Sequence, residues 1–284
     1  MNKHDVPTWK ILTAASAAAA VQVTSTAPAD RLALRMQTTT SSTGIISAFR
    51  QMVNKEGISG LWMGNGTNAI KNVPQGCIMF FTYQTLKKFY KDPEQPTTSE
   101  RIFAGTAAAF NQLFFVYPLE LIKTRMALCP RGTYRSIMHC AQEVHLHEGS
   151  RALFNGLVPS IYANVGYLGG QLIMFDLIKD WHDSRFASPP NPFVLYCYGI
   201  LSQIPPICSV YPFFVVKNRM QLQGYAGTEV FYSGMMDCMR SILAKEGFQG
   251  FYKGIVPYCL KIVPGGAINL AVYDWTKDFL MAYF

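Results

Sequence analysis

The sequence predicts an all-α membrane protein, with six transmembrane helices in three two-helix repeats set pseudo-three-fold around a central cavity and a short amphipathic helix inside each repeat. Three observations predict it. Charge is scarce and unevenly placed, one set of motifs recurs three times in register, and the apolar stretches hold the Pro, Gly, Gln and Asn of helices that line a polar space on one side.

Of the 284 residues, 50% are hydrophobic and 15% charged, where a soluble domain carries roughly 25% charge. No Asp, Glu, Lys or Arg occurs between Lys10 and Asp30, Arg101 and Glu120, Arg151 and Asp176, or Arg185 and Lys217. Each gap approaches or exceeds the roughly 20 residues that a helix needs to cross a bilayer. Gly57–Leu86 and Gly254–Tyr273 are each broken by one lysine, Lys71 and Lys261, which brings the candidate spans to six. Met1–Trp9 is polar and runs into the first span without a cleavage-like break, so no secretory leader is expected. Seven cysteines with no CxxC give no disulfide or zinc framework. The formal charge of +8 suits anionic head groups and anionic solutes. Basic residues are spread among the repeats rather than gathered in a stripe, so nucleic acid is not an expected partner.

The repeat organises everything else. PADRLALRM begins at Pro28, PLELIKTRM at Pro118 and PFFVVKNRM at Pro212, about ninety residues apart, and each closes on Arg-Met at Arg35, Arg125 and Arg219. A Glu-Gly pair follows at Glu56-Gly57, Glu148-Gly149 and Glu246-Gly247. After it comes aromatic-x-Gly, at Trp62-Met63-Gly64, Phe154-Asn155-Gly156 and Tyr252-Lys253-Gly254. Short amphipathic runs precede the Glu-Gly pairs, starting at Thr43, Tyr134 and Tyr232. The unit reads as span, proline signature, surface helix, Glu-Gly, aromatic-x-Gly, span. Its period is too long for the short solenoid repeats and suits a helix pair repeated around an axis. The repeats fall at 1–91, 92–185 and 186–284.

The signature P-x-[DE]-x-x-[KR]-x-[KR] and the Glu-Gly-x(4)-aromatic-x-Gly block, three times over, resemble the mitochondrial carrier family across essentially the whole chain. The resemblance implies a solute carrier of the inner mitochondrial membrane, not an enzyme, imported without a cleaved presequence. Its surface helices would lie on the matrix side, and it would alternate between cytosol-open and matrix-open states. It also implies a monomer with cardiolipin-like anionic lipid at the surface helices.

In that family, the signature acids and the bases three positions on form a ring of ion pairs that closes the matrix side. Here the acid positions hold Asp30, Glu120 and Phe214, and the base positions hold Ala33, Lys123 and Lys217. Acid and base three apart share one helical face. Going round the ring as the family does, Asp30 would meet Lys123, Glu120 would meet Lys217, and Phe214 would meet Ala33, so both halves of one pair are apolar together. That avoids a lone charge in a desolvated gate, a cost of several kcal/mol. Gln37 and Gln221 match the positions that brace these pairs, and the third is Ala127. The second basic residues, Arg35, Arg125 and Arg219, are expected to point away toward lipid or water. A second ring, at the cytosolic ends of the even helices, reads Tyr83-Gln84 with Lys87, Phe175-Asp176 with Lys179, and Tyr273-Asp274 with Lys277. Each ring lacks a full set of three pairs, so both gates are expected to be weak.

A lone ionisable residue in mid-membrane marks a functional site. Lys71 opens KNVP and Lys261 opens KIVP at matching places, and the middle repeat has Ala163-Asn164 there. Two lysines facing a wet cavity suit phosphate or carboxylate. In the family these are the substrate contact points. TAPADRL, LWMGNGTNAIKNVP and LKIVPGGAINLAVYDWTK look like the ATP-Mg/phosphate branch. The resemblance therefore implies exchange of adenine nucleotide against phosphate, with no resident cofactor and magnesium entering only as part of the substrate. Nucleotide carriers have Gly and an aliphatic residue at the middle contact point. Ala163-Asn164 is tighter and more polar, which keeps open a carboxylate or coenzyme A-type solute, or a scaffold that binds without turnover. Only about eight residues precede the first span, so calcium control through an N-terminal EF-hand domain is not expected.

Gly64-Asn65-Gly66-Thr67-Asn68-Ala69 matches a dinucleotide fingerprint but lacks the βαβ context that motif needs. His139, Cys140, His145, His147 and Glu148 cluster in sequence without gathering three metal ligands on one helical face. Pro205-Pro206 is expected to kink the fifth span.

Overall fold

The computed structural model describes residues 8–40, 44–90, 97–186, 188–225 and 229–283. Residues 1–7, on which the reading of the leader rests, and Thr43 lie outside them. All regular structure among the described residues is helical. The first repeat runs α1 (Thr8–Thr38), α2 (Ile45–Glu56) and α3 (Asn65–Lys87). The second runs α4 (Thr98–Leu128), α5 (Ile137–Glu148) and α6 (Leu157–Arg185). The third runs α7 (Pro192–Leu201), α8 (Ile204–Leu222), α9 (Met235–Glu246) and α10 (Ile255–Tyr283). In each repeat a single 3₁₀ turn joins the short helix to the following long one.

Local sequence dictates these boundaries. Each short helix stops at the glycine of Glu-Gly, where Gly57, Gly149 and Gly247 take positive φ. Each buries two residues four apart and at matching places: Ala48 and Met52, Cys140 and Val144, Cys238 and Ile242. That spacing is one helical stripe, and burying the larger residue of a pair contributes about 1.5–3 kcal/mol. It pins each surface helix beneath its own signature helix, against Leu32, against Leu121 and Ile122, and against Val215 and Val216.

The even helix of each repeat packs most closely on the odd helix of the next: α3 on α4, α6 on α8, and α10 back onto α1. Small residues permit the approach. A β-carbon on Gly166 would lie 2.7 Å from Val210, and one on Gly170 would lie 2.9 Å from Pro206. The α10–α1 contact closes six long rods into a ring with space at its centre. The glycine of aromatic-x-Gly locks each repeat to the next. Gly156 has φ 83°, and a β-carbon there would lie 2.9 Å from the Lys217 carbonyl oxygen.

The fifth rod is broken at Ser202–Gln203, between α7 and α8. Pro205 and Pro206 occupy the first turn of α8, where a missing amide donor costs little. Gln203 spans the break, donating to the Gly199 carbonyl at 2.9 Å and accepting from the Tyr167 hydroxyl at 2.9 Å. By length and composition alone, two stretches among the described residues are apolar enough to cross a membrane, Phe193–Leu222 and Phe248–Met281. Six were expected. The polar residues that the other rods turn to the centre dilute their hydropathy.

Candidate functional site

The ring encloses a cavity of about 330 Å³, with Gln75, Gln112, Asn164 and Tyr167 among its wall residues. Its floor lies level with the signature residues. Asp30 of α1 accepts from Lys123 of α4 through Oδ2 at 2.7 Å, and from Lys261 of α10 through Oδ1. Glu120 of α4 accepts from Lys217 of α8 through Oε1 at 3.0 Å, and from Lys71 of α3 through Oε2. Each carboxylate therefore gives one oxygen to a lysine of the signature ring and the other to a lysine of an even helix. Phe214 and Ala33, the apolar pair, are both buried. The charged residues lining the cavity are four lysines and two carboxylates, a formal balance of +2.

Lys71 and Lys261 thus face the cavity as read from the sequence, but with the signature carboxylates as partners. Asn164 also faces it. Its amide nitrogen donates to the Ser160 carbonyl at 2.7 Å and hydroxyl at 3.2 Å, which leaves the amide oxygen as the acceptor toward the cavity. Ala163 does not reach the cavity. It is fully buried among Ile207, Val210 and Tyr211, because its side of α6 is the one packed against α8.

Gln37 and Gln221 do not brace the ion pairs. Gln37 donates to the Tyr211 hydroxyl at 2.7 Å and accepts from Asn218, while Gln221 donates to Tyr117 at 3.0 Å and accepts from Thr124 at 2.8 Å. These bonds join neighbouring repeats below the floor.

The family profile described as "Mitochondrial carrier protein" matches residues 4–94, 94–185 and 188–284, three consecutive copies. The chain belongs to the mitochondrial carrier family. Its place is accordingly the mitochondrial inner membrane. It is 37% identical over 279 residues to a Homo sapiens protein named mitochondrial adenyl nucleotide antiporter SLC25A24, covering 96% of this chain and 58% of that protein. The Mus musculus protein of the same name is 37% identical over 277 residues, with the same coverage. Homo sapiens mitochondrial adenyl nucleotide antiporter SLC25A25 is 34% identical over 278 residues, covering 95% of this chain and 59% of that protein. The carrier spans about three fifths of the length of the curated relatives it matches.

At the far end of the carrier from the signatures, Gln84, Asp176, Lys179 and Asp274 are exposed, and Tyr83, Phe175, Tyr273, Lys87 and Lys277 are half-buried. Among the described residues no ion pair joins Asp176 or Asp274 to Lys87, Lys179 or Lys277. Ion pairs tie the repeats together at the signature end, and among the described residues none of these side chains does so at the other.

A set of arginines is placed otherwise than the sequence suggests. Arg125 and Arg219 do not point away. Arg125 is fully buried, pairs with Glu148 of Glu-Gly through both guanidinium ends, and donates to the carbonyls of Gln221 and Gln223 at 2.9 Å each. Arg219 pairs with Glu246 and donates to the Gln37 carbonyl at 2.9 Å. In the first repeat Arg31 takes this role, donating to the Ala127 carbonyl at 2.7 Å and pairing with Glu56. Arg35 is left more open, 3.1 Å from Glu56. The threefold Arg-Met followed by Glu-Gly was the available signal. Among the described residues no group of three His, Cys, Asp or Glu could hold a metal ion.

Proposed function

We propose that this carrier exchanges adenine nucleotide, free or magnesium-bound, against phosphate, by alternating access through six membrane-spanning helices. The observation that carries the reading is the +2 balance of the cavity floor. The signature ring contributes two lysines and two carboxylates, and Lys71 and Lys261 are the excess. A doubly charged anion such as hydrogen phosphate or magnesium-bound ATP neutralises that excess, and ammonium groups over a closed floor favour phosphoryl oxygens. The names of the relatives support the nucleotide half of the exchange. The exposed outer faces of the rods support the six spans, since they carry Phe81, Phe103, Phe110, Leu172 and Trp275.

In this reading the signature end faces the matrix, and the two rings are the gates that alternate. The site is built inside one chain from all three repeats, which suits a monomer. Exposed Arg50, Lys55, Arg240 and Lys245 on α2 and α9 offer cations to a cardiolipin-like anionic head group.

Counter-exchange tests the reading. Liposomes holding the purified carrier are preloaded with phosphate and offered labelled ATP, with and without magnesium. Uptake should require internal phosphate and disappear in Lys71→Ala and Lys261→Ala. Folded carrier that takes up no nucleotide but exchanges a carboxylate or a coenzyme A-type solute would refute the nucleotide assignment. Silence toward every solute would leave a binding scaffold.

A further inference from the structure

The cavity floor is not three-fold in its charges. Asp30–Lys123 ties the first repeat to the second, and Glu120–Lys217 ties the second to the third. At the seam between the third and first repeats the signature positions hold Phe214 and Ala33, which carry no charge. An ion pair crosses that seam all the same, from a different helix, as Lys261 of α10 pairs with Asp30 of α1. The first repeat's matching lysine, Lys71, pairs with Glu120 and so duplicates a junction that Asp30–Lys123 already ties.

We propose that Lys261 is the third ion pair of the signature gate, standing in for the missing Phe214–Ala33 pair, and that an anion opens the carrier by drawing Lys261 off Asp30. The proposal deepens the exchanger reading of the same cavity and rests on it. Phe214 has a part in the substitution. Its ring packs on Tyr258 at 5.7 Å between centroids, and the Lys261 ammonium sits 4.4 Å above the Tyr258 ring. An aromatic at the acid position thus supports the residue that carries the lysine, and the cation–π contact holds the ammonium over the floor.

Elsewhere the seam is held from below the floor, by the Gln37–Tyr211 and Gln37–Asn218 bonds, by Arg219 on the Gln37 carbonyl and by Lys253 on the Thr40 carbonyl. These groups are already partnered within the seam. Lys261 and Lys71 each share a carboxylate with a ring lysine, so a cavity anion can draw on either, and of the two only Lys261 holds a junction whose signature positions are uncharged. The gate therefore has a weak seam that senses the solute, flanked by two junctions that do not depend on it.

Hydrogen–deuterium exchange of the full chain in lipid nanodiscs, with no nucleotide or phosphate present, tests this. The readout is the peptides over 33–40 and 254–258, on the two sides of the seam, with α5 as the control. Lys261→Gln should speed exchange there by about tenfold or more and leave α5 protected, whereas Lys71→Gln should change it by less than about threefold. Adding Phe214→Asp and Ala33→Lys to Lys261→Gln installs the missing pair and should return exchange to within about twofold of wild type. Wild-type exchange in Lys261→Gln, equal loosening of α5, or a triple variant as fast as Lys261→Gln overturns the proposal. Should Lys261→Gln alone not fold, recovery of folded protein by the added pair upholds it, and no recovery overturns it. With no solute in the sample, the outcome is separate from the identity of the anion. Unchanged seam exchange alongside working counter-exchange sinks the gate role and leaves the transport reading standing.

Discussion

Arg35 and Arg125 occupy the same place in their signatures, and the structure predicts very different costs for removing them. Arg125→Ala leaves Glu148 without its partner and strips donors from the carbonyls of Gln221 and Gln223. Arg125 is 0% exposed, so no water replaces the guanidinium, and removing one partner of such a pair costs about 3–5 kcal/mol. Arg35 is 26% exposed, and Glu56 keeps Arg31 when Arg35 is lost. A pair that open contributes about 0–1 kcal/mol. At about 2–4 °C per kcal/mol, Arg125→Ala should unfold roughly 6–20 °C below wild type and Arg35→Ala within about 4 °C of it. A thiol-reactive dye supplies the assay. Burial pushes the Cys140 thiol up to about 11 and the Cys238 thiol up to about 12, and both side chains are fully covered, so they stay silent until the surface helices detach. Equal shifts for the two variants would refute the assignment of Arg31, rather than Arg35, as the buried arginine of the first repeat.

Three further outcomes follow from the same geometry. Burial alone would raise the Glu246 carboxyl, but hydrogen bonds and charge from Arg219 and Lys253 hold it below its ordinary 4.5. Its stabilisation is complete above about pH 5 and is lost as pH falls below the ordinary value toward the lowered one, so Glu246→Gln should flatten the acid limb of unfolding temperature against pH. Gly156→Ala forces a side chain onto left-handed backbone and against the Lys217 carbonyl; it should cost at least about 1–2 kcal/mol, visible as a lower unfolding temperature. Phe214→Asp with Ala33→Lys in the otherwise wild-type chain adds a junction that an anion does not release. Counter-exchange should slow by about tenfold, and a double variant as fast as wild type would count against a gate at these positions.

The threefold repeat and the places of its proline signatures and Glu-Gly pairs are legible in the residues alone. Those features follow from short-range rules: a charge-free run long enough to span, a glycine that stops a helix, an acid and a base three apart on one face. Applied three times in register, the rules left little freedom, while the pairing order round the ring was implied by the family resemblance. Only the tertiary structure decided who partners Lys71 and Lys261, because Lys71 lies 49 residues from Glu120 and Lys261 lies 231 residues from Asp30. It also turned Ala163 into the α6–α8 contact and Asn164 into the cavity, a difference of one residue's rotation that neither residue type specifies. The count of pairs at the signature end changes for the same reason: ring positions alone do not show the lysines that arrive from the even helices. Burial decided the arginines. A guanidinium at the end of an amphipathic stretch serves solvent as readily as a carboxylate, and only the closing of one repeat against the next removed the water around Arg125 and Arg219 and left it around Arg35.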